Sequence, residues 1–119
     1  MPNPIHHVSN EEIAEVIEDG ADYIEKWGWH QGDLYAWQAV ASYKRSPPAC
    51  MMGGLMVGNR MRGALQQRVP MEILVSKFRK AAPEVGAISA WNDYVCQSQQ
   101  QALDMMRLAS KRLRIGWEE

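Results

Sequence analysis

The chain predicts an all-α single domain of about five helices, and three observations carry that prediction. Apolar residues return at three- and four-residue spacing through long stretches of the sequence. Two Ser-x-x-Glu/Gln patterns, Ser9-Asn10-Glu11-Glu12 and Ser98-Gln99-Gln100-Gln101, stand just ahead of such stretches, as capping boxes do. Eight Met and five Trp against a single Phe, with few β-branched runs, favour helix over sheet. At 119 residues the chain is long enough to bury a core without disulfides or a structural metal.

The elements follow in order, after an N-terminal tail over 1–8. In the first helix Ile13, Val16, Ile17, Ala21 and Ile24 form one face, acids crowd the other, and Gly28 is placed to terminate it. Residues 33–45 predict a second helix with Asp33 as N-cap and Leu34, Trp37, Val40 and Ala41 on one face; the alternation Tyr35, Trp37, Ala39 leaves a short strand or irregular arm open. Ser46-Pro47-Pro48 then stops one element and starts another.

Residues 49–61 are the least polar stretch and predict a central, buried Gly/Met-rich helix. Gly53, Gly54 and Gly58 each cost a helix about 1 kcal/mol relative to Ala, so their presence implies a neighbour packed close against the backbone. The stretch is too short, and too soon followed by Arg60 and Arg62, to span a membrane. A fourth helix begins at Pro70, with Ile73, Leu74 and Phe78 inward and Lys77, Arg79 and Lys80 outward, and ends near Ala82-Pro83. A short helical turn carries Val85, Ile88 and Trp91. The last helix runs to about Leu113 on a stripe of Ala102, Met105, Met106, Ala109 and Leu113, and Gly116 ends it. Residues 9–115 thus form one helical domain, with 116–119 as a short tail.

The net charge of −1 hides an uneven distribution: residues 1–43 hold eight acids and one base, residues 44–119 twelve bases and six acids. The simplest account is self-complementarity, with the acidic first helix against or near the basic last one. Nucleic-acid binding by the basic half is the alternative, although the bases are scattered and no nucleic-acid module signature accompanies them. Cys50 and Cys96 form no CxxC pair, which argues for two reduced thiols. The N-terminus lacks a signal-peptide pattern and no apolar run is long enough to cross a bilayer, so a cytoplasmic protein with no membrane association is expected.

The most individual residues lie in two turns, Gly28-Trp29-His30-Gln31-Gly32 and Ala90-Trp91-Asn92-Asp93, where helical patterns break off. A Trp in such a turn is an anchor onto the core or part of a binding surface. The structural account has Trp91 plugging the core while Asn92 or Asp93 accepts backbone amides, and Trp29 closing over the end of the first helix. Were the two turns to converge, they would frame a shallow aromatic pocket with Gln31 and Asn92 as its polar groups.

Cys50, after Pro47-Pro48-Ala49, falls near a helix N-terminus, where a thiol can be activated; with His30 as base and Asn92 or Asp93 as orienting partner a Cys/His/Asn hydrolase can be drawn. Against it, all three histidines precede Cys50, and Met51, Met52 and Leu55 suit a core. His6, His7 and His30 lack the spacing of a metal site, and no metal or cofactor is expected.

Gly28-Trp29-x-Gln31-Gly32, then Cys50-x-x-Gly53-Gly54-Leu55, then Trp91-Asn92-Asp93 ahead of a final amphipathic helix, together resemble domain of unknown function family 6197, small proteins of actinobacteria and their phages. The resemblance covers roughly residues 13–110. It departs from the family pattern in Gly54, where Ala is more usual, and in Ser98-x-x-Gln101, where a Thr and an acid often open the last helix. It implies a helical single domain and supplies no activity.

The function expected is therefore that of a small non-enzymatic interaction protein, phage-encoded by analogy with that family. It would bind a host or viral protein through an aromatic and Met-bearing face that includes Trp29, Gln31, Trp37, Trp91, Asn92 and Trp117. A Cys50-dependent hydrolase or transferase and a nucleic-acid binder are the alternatives, and a homodimer is left open.

Overall fold

Ser9 begins the fold as its capping box requires: its Oγ accepts from the Glu12 amide at 3.1 Å while Glu12 Oε1 accepts the Ser9 N–H at 3.3 Å. The computed structural model describes residues 8–35, 46–60 and 66–117. Among them are five α-helices and no strand: α1 (Asn10–Trp27), α2 (Met51–Gly58), α3 (Met71–Ala81), the single turn α4 (Ile88–Ala90) and α5 (Gln99–Arg114). A π-helical turn, Trp91–Val95, continues α4.

Helix α1 packs chiefly on α2, α5 and α3, whereas α2 packs on α1 and α4. The Gly/Met-rich helix is interior as expected, with Met51, Gly53, Gly54, Leu55 and Gly58 buried, but α1 is the element that meets the most others. Ile13, Ile17 and Ile24 of α1 join Leu55, Phe78 and Met106 in the solvent-free core.

The glycines let α1 and α2 touch backbone to backbone. A Cβ on Gly20 would lie 2.6 Å from the Gly54 carbonyl oxygen, and one on Gly58 would overlap the Val16 carbonyl and lie 2.7 Å from the Gly20 nitrogen. Gly20, on the α1 side of this crossing, was not singled out by the sequence pattern.

On its other flank α1 meets α5 through charge. Arg107 pairs with Glu25 at 3.0 Å and Asp22 at 3.5 Å; Arg114 pairs with Glu11 at 3.0 Å and with Glu18, which also accepts from Ser110. The acidic and basic parts of the chain thus neutralise one another within the fold. Arg68 extends the pattern, reaching Asp19 at 2.5 Å and the Gly58 carbonyl at 3.0 Å.

Two expectations change. Residues 33–35 do not open a helix: Asp33 caps no amide among the described residues, the Leu34 carbonyl accepts from Cys50 N at 3.0 Å, and Tyr35 bridges Ala49. The chain bends there and is tied to the entry to α2 by isolated pairings, so over 33–35 it is an irregular arm, the alternative the alternation left open. The remainder of that expected helix, including Trp37, lies outside the described residues. The third helix is also shorter than 49–61, starting one residue after Cys50, its N-cap, and ending at Gly58.

Helix α5 ends in a Schellman motif, since Gly116 adopts φ 66°, its N–H bonds the Leu113 carbonyl at 3.2 Å and the Trp117 N–H bonds the Arg112 carbonyl at 2.9 Å. Trp117 then stacks on the Arg112 guanidinium, 4.1 Å from its ring centre.

Candidate functional site

Gly28 turns the chain at φ 111° and sends residues 29–35 past the entry to α2, where Ala49 N bonds the Gly28 carbonyl and His30 N the Ala49 carbonyl, each at 3.0 Å. Facing this arm is the π-turn, closed by Cys96 N on the Trp91 carbonyl at 2.8 Å. The wider turn leaves its carbonyls without the usual helical partners and aims Asn92 and Asp93 at the arm.

The two tryptophan turns therefore converge, and they do so by interlocking. Asn92 is fully buried: its Oδ1 accepts from the Trp29 indole Nε1 at 2.7 Å and from Met51 N at 3.0 Å, while its Nδ2 donates to the His30 carbonyl and to Asp93 Oδ1, both at 3.0 Å. Every hydrogen-bonding valence of that amide is engaged. Gln31 Nε2 donates to the carbonyls of Asn92 (3.0 Å), Asp93 (3.2 Å) and Cys96 (3.1 Å), supplying the partners the π-turn lacks. Asp93 Oδ1 also accepts from Gly32 N at 2.9 Å, and Trp29 N donates to Gln99 Oε1 at 3.1 Å, tying in the first turn of α5.

The expected aromatic pocket is accordingly not what this convergence makes. Trp91 is only 7 % exposed and belongs to the core, and Asn92 and Gln31 face each other's turns instead of a shared void. The open space lies beside the clip, in a recess of about 320 Å³ lined by Gly32, Asp33, Leu34, Cys50, Ser89 and Asp93. Leu34 (39 % exposed) stands at its edge, and Tyr94 (86 %) and Val95 (52 %) follow Asp93 directly. Tyr94 and Val95 were not picked out from the sequence, and Leu34 was read there only as part of a helix face. No local pattern distinguishes this aromatic–aliphatic pair, whose exposure in the π-turn appears only in the folded structure.

The charges follow from these contacts. The Gly32 amide, with the Asn92 amide and nearby His30, holds the Asp93 carboxyl below its usual range, so it is ionised. Burial pushes the Cys50 thiol up, and the Asp93 charge adds to this; the amides of Gly53 and Met52 pull the other way without overcoming it. Cys50 caps α2, its sulfur accepting from Gly53 N at 3.3 Å, and it is a thiol, not a thiolate, at neutral pH. Neither His30 nor Asn92 hydrogen-bonds to it. His30 Nε2 is buried without a hydrogen-bond partner among the described residues.

Trp117 belongs to another region. It is 45 % exposed at the end of α5 opposite Gln99, about 24 Å along a 16-residue helix. Among the described residues no group of three His, Cys, Asp or Glu is placed to hold a metal ion, and no helix is long and apolar enough to cross a membrane. His6 and His7 lie outside the described residues.

The sequence model of one family, described as a family of unknown function (DUF6197), matches residues 8–112. No curated protein and no solved structure matches the chain.

Proposed function

Because the chain belongs to DUF6197, whose description assigns no activity, we propose from the geometry of the clip that it is a non-enzymatic binding module. Its partner would be a host or viral protein met in the cytoplasm. The observation that supports this is a contrast within one short segment. Trp91, Asn92 and Asp93 are fixed by the core and by six hydrogen bonds across the clip, while Tyr94 and Val95, next in the chain, stand 86 % and 52 % exposed. A rigid turn that holds an aromatic and an aliphatic side chain in water loses little entropy when a partner covers them, which is how binding hot spots gain affinity.

The neighbouring recess is lined by Leu34 and bordered by the Asp33 and Asp93 carboxylates. Of the Met-bearing part of the expected face, Met51 and Met106 are buried in the core, while Met52, Met56, Met71 and Met105 are half-buried. The chemistry of a nucleophilic Cys50 has no support in a thiol raised by burial that accepts from Gly53 N and has no imidazole hydrogen-bonded to it among the described residues.

The test is affinity capture with wild type and a Tyr94→Ser/Val95→Ser variant, using an Ile115→Ser/Trp117→Ser variant as the remote control. A loss of about 2 kcal/mol in all from these two side chains predicts about a thirtyfold weaker capture by the first variant. Unchanged thermal unfolding would show that the clip still forms. Equal capture by all three chains would refute the rim as the binding surface.

A further inference from the structure

Helix α3 buries Leu74, Phe78 and Ala81 and turns its opposite face to solvent. That face borders a groove of about 600 Å³, in which Glu72, Val75, Ser76, Arg79 and Lys80 share the helix surface and Pro83 forms a ledge at the C-terminal end. Arg68, Arg107, Arg112 and Arg114 are all engaged in ion pairs inside the fold. Glu72, Arg79 and Lys80 have no such partner among the described residues and are exposed.

The pattern on this face is complementary to itself. Arg79 and Lys80 lie seven and eight residues from Glu72, about 10–12 Å along the axis and on the same side of the helix. The midpoint falls at Val75 and Ser76, a half-buried aliphatic beside a small hydroxyl. Turn a second α3 antiparallel over the first and each Glu72 comes opposite Arg79 and Lys80 of the other copy. The small Ser76 allows close approach at the centre, and exposed Pro70 of one copy meets Pro83 of the other at each end. A run of like charge would not match itself in this way, and Glu72 at one end of the groove disfavours a polyphosphate along its length.

We propose that the outer face of α3 is a two-fold interface through which a second copy of this chain docks, antiparallel, about an axis at Val75 and Ser76. An isologous contact of this kind needs only one self-complementary patch. Two 11-residue helices and their flanking prolines make a small interface, so the association is weak and sensitive to salt. It is separate from the Tyr94 rim and does not depend on it.

Sedimentation equilibrium of the full chain from about 10 µM to 1 mM tests the dimer. Glu72→Lys alone sets three cations against one another, and Arg79→Glu/Lys80→Glu alone sets three acids together, so each variant weakens self-association about tenfold or more. An equimolar mixture of the two variants restores opposite charges at both ends and recovers the dimer as a heterodimer. All three positions are exposed, so folding is checked simply by unchanged helical circular dichroism. A wild type that stays monomeric throughout, a dimer indifferent to both variants, or a mixture that fails to associate would each overturn the proposal.

Discussion

Asn92 shows how much of this fold a single side chain can organise. It joins the Trp29 indole, the first amide of α2 and the His30 carbonyl, three groups that meet nowhere else. Replacing it by Ala leaves two buried donors and one acceptor without partners, at about 1–3 kcal/mol for each unmet group. Asn92→Ala is therefore expected to lose about 3–5 kcal/mol in urea unfolding. Asn92→Asp should do no better, since it loses the donor to His30 and sets a second carboxylate beside Asp93. A loss below about 1 kcal/mol for Asn92→Ala would mean that water replaces the clip. The sequence offered Asn92 or Asp93 as an acceptor at its own turn. Both do accept backbone amides, Asp93 from Gly32 and Asn92 from Met51, but these partners lie some forty to sixty residues away and no local rule names them.

At the scale of elements, the crossing of α1 and α2 sets propensity against packing. In an isolated helix Gly→Ala gains about 1 kcal/mol. At Gly58 the new methyl would meet the Val16 carbonyl and the Gly20 nitrogen, main-chain atoms that cannot rotate away. Overpacking against backbone then dominates, and Gly58→Ala is expected to destabilise by about 2 kcal/mol or more in chemical denaturation. A stabilised Gly58→Ala would show that the two helices stand further apart. Three glycines in a short apolar stretch made this close approach legible. Its depth was not, because Gly20 sits alone in a strongly charged helix where one glycine looks incidental. The segment 33–45 went the other way: its helical face was plausible residue by residue, yet over 33–35 the chain bends and pairs with Ala49 and Cys50 instead of coiling.

For the whole molecule, the α1–α5 seam turns charge asymmetry into pH dependence. Burial tends to raise the Glu18 carboxyl, but hydrogen bonds from Arg114 and Ser110, with the charges of Arg114 and Arg107, leave it below its ordinary value of 4.5. A carboxyl depressed on folding contributes stability that is complete above the ordinary value and disappears as pH falls through the folded one. The Glu84 and Asp93 carboxyls are lowered as well, and both act in the same direction. Stability is therefore expected to be level near neutrality and to decline below about pH 4.5. Glu18→Gln should be less stable than wild type at pH 7 and approach it toward pH 3. Urea titrations across that range check this, and parallel pH profiles for the two chains would remove Glu18 from the account.

By itself the sequence determined what local rules encode: the capped starts of α1 and α5, the apolar stripes that decide which faces go inward, the glycine stop after each, and the sign of charge each half carries. These depend on spacings of three to seven residues, and a chain carries such spacings in plain view. Only the tertiary structure decided that Asn92 and Gln31 close on each other instead of lining a pocket, that Cys50 caps a helix, and that Tyr94, Val95 and the outer face of α3 are left exposed. Whether a polar side chain is satisfied or free depends on which distant backbone groups arrive beside it, and that is settled when helices pack.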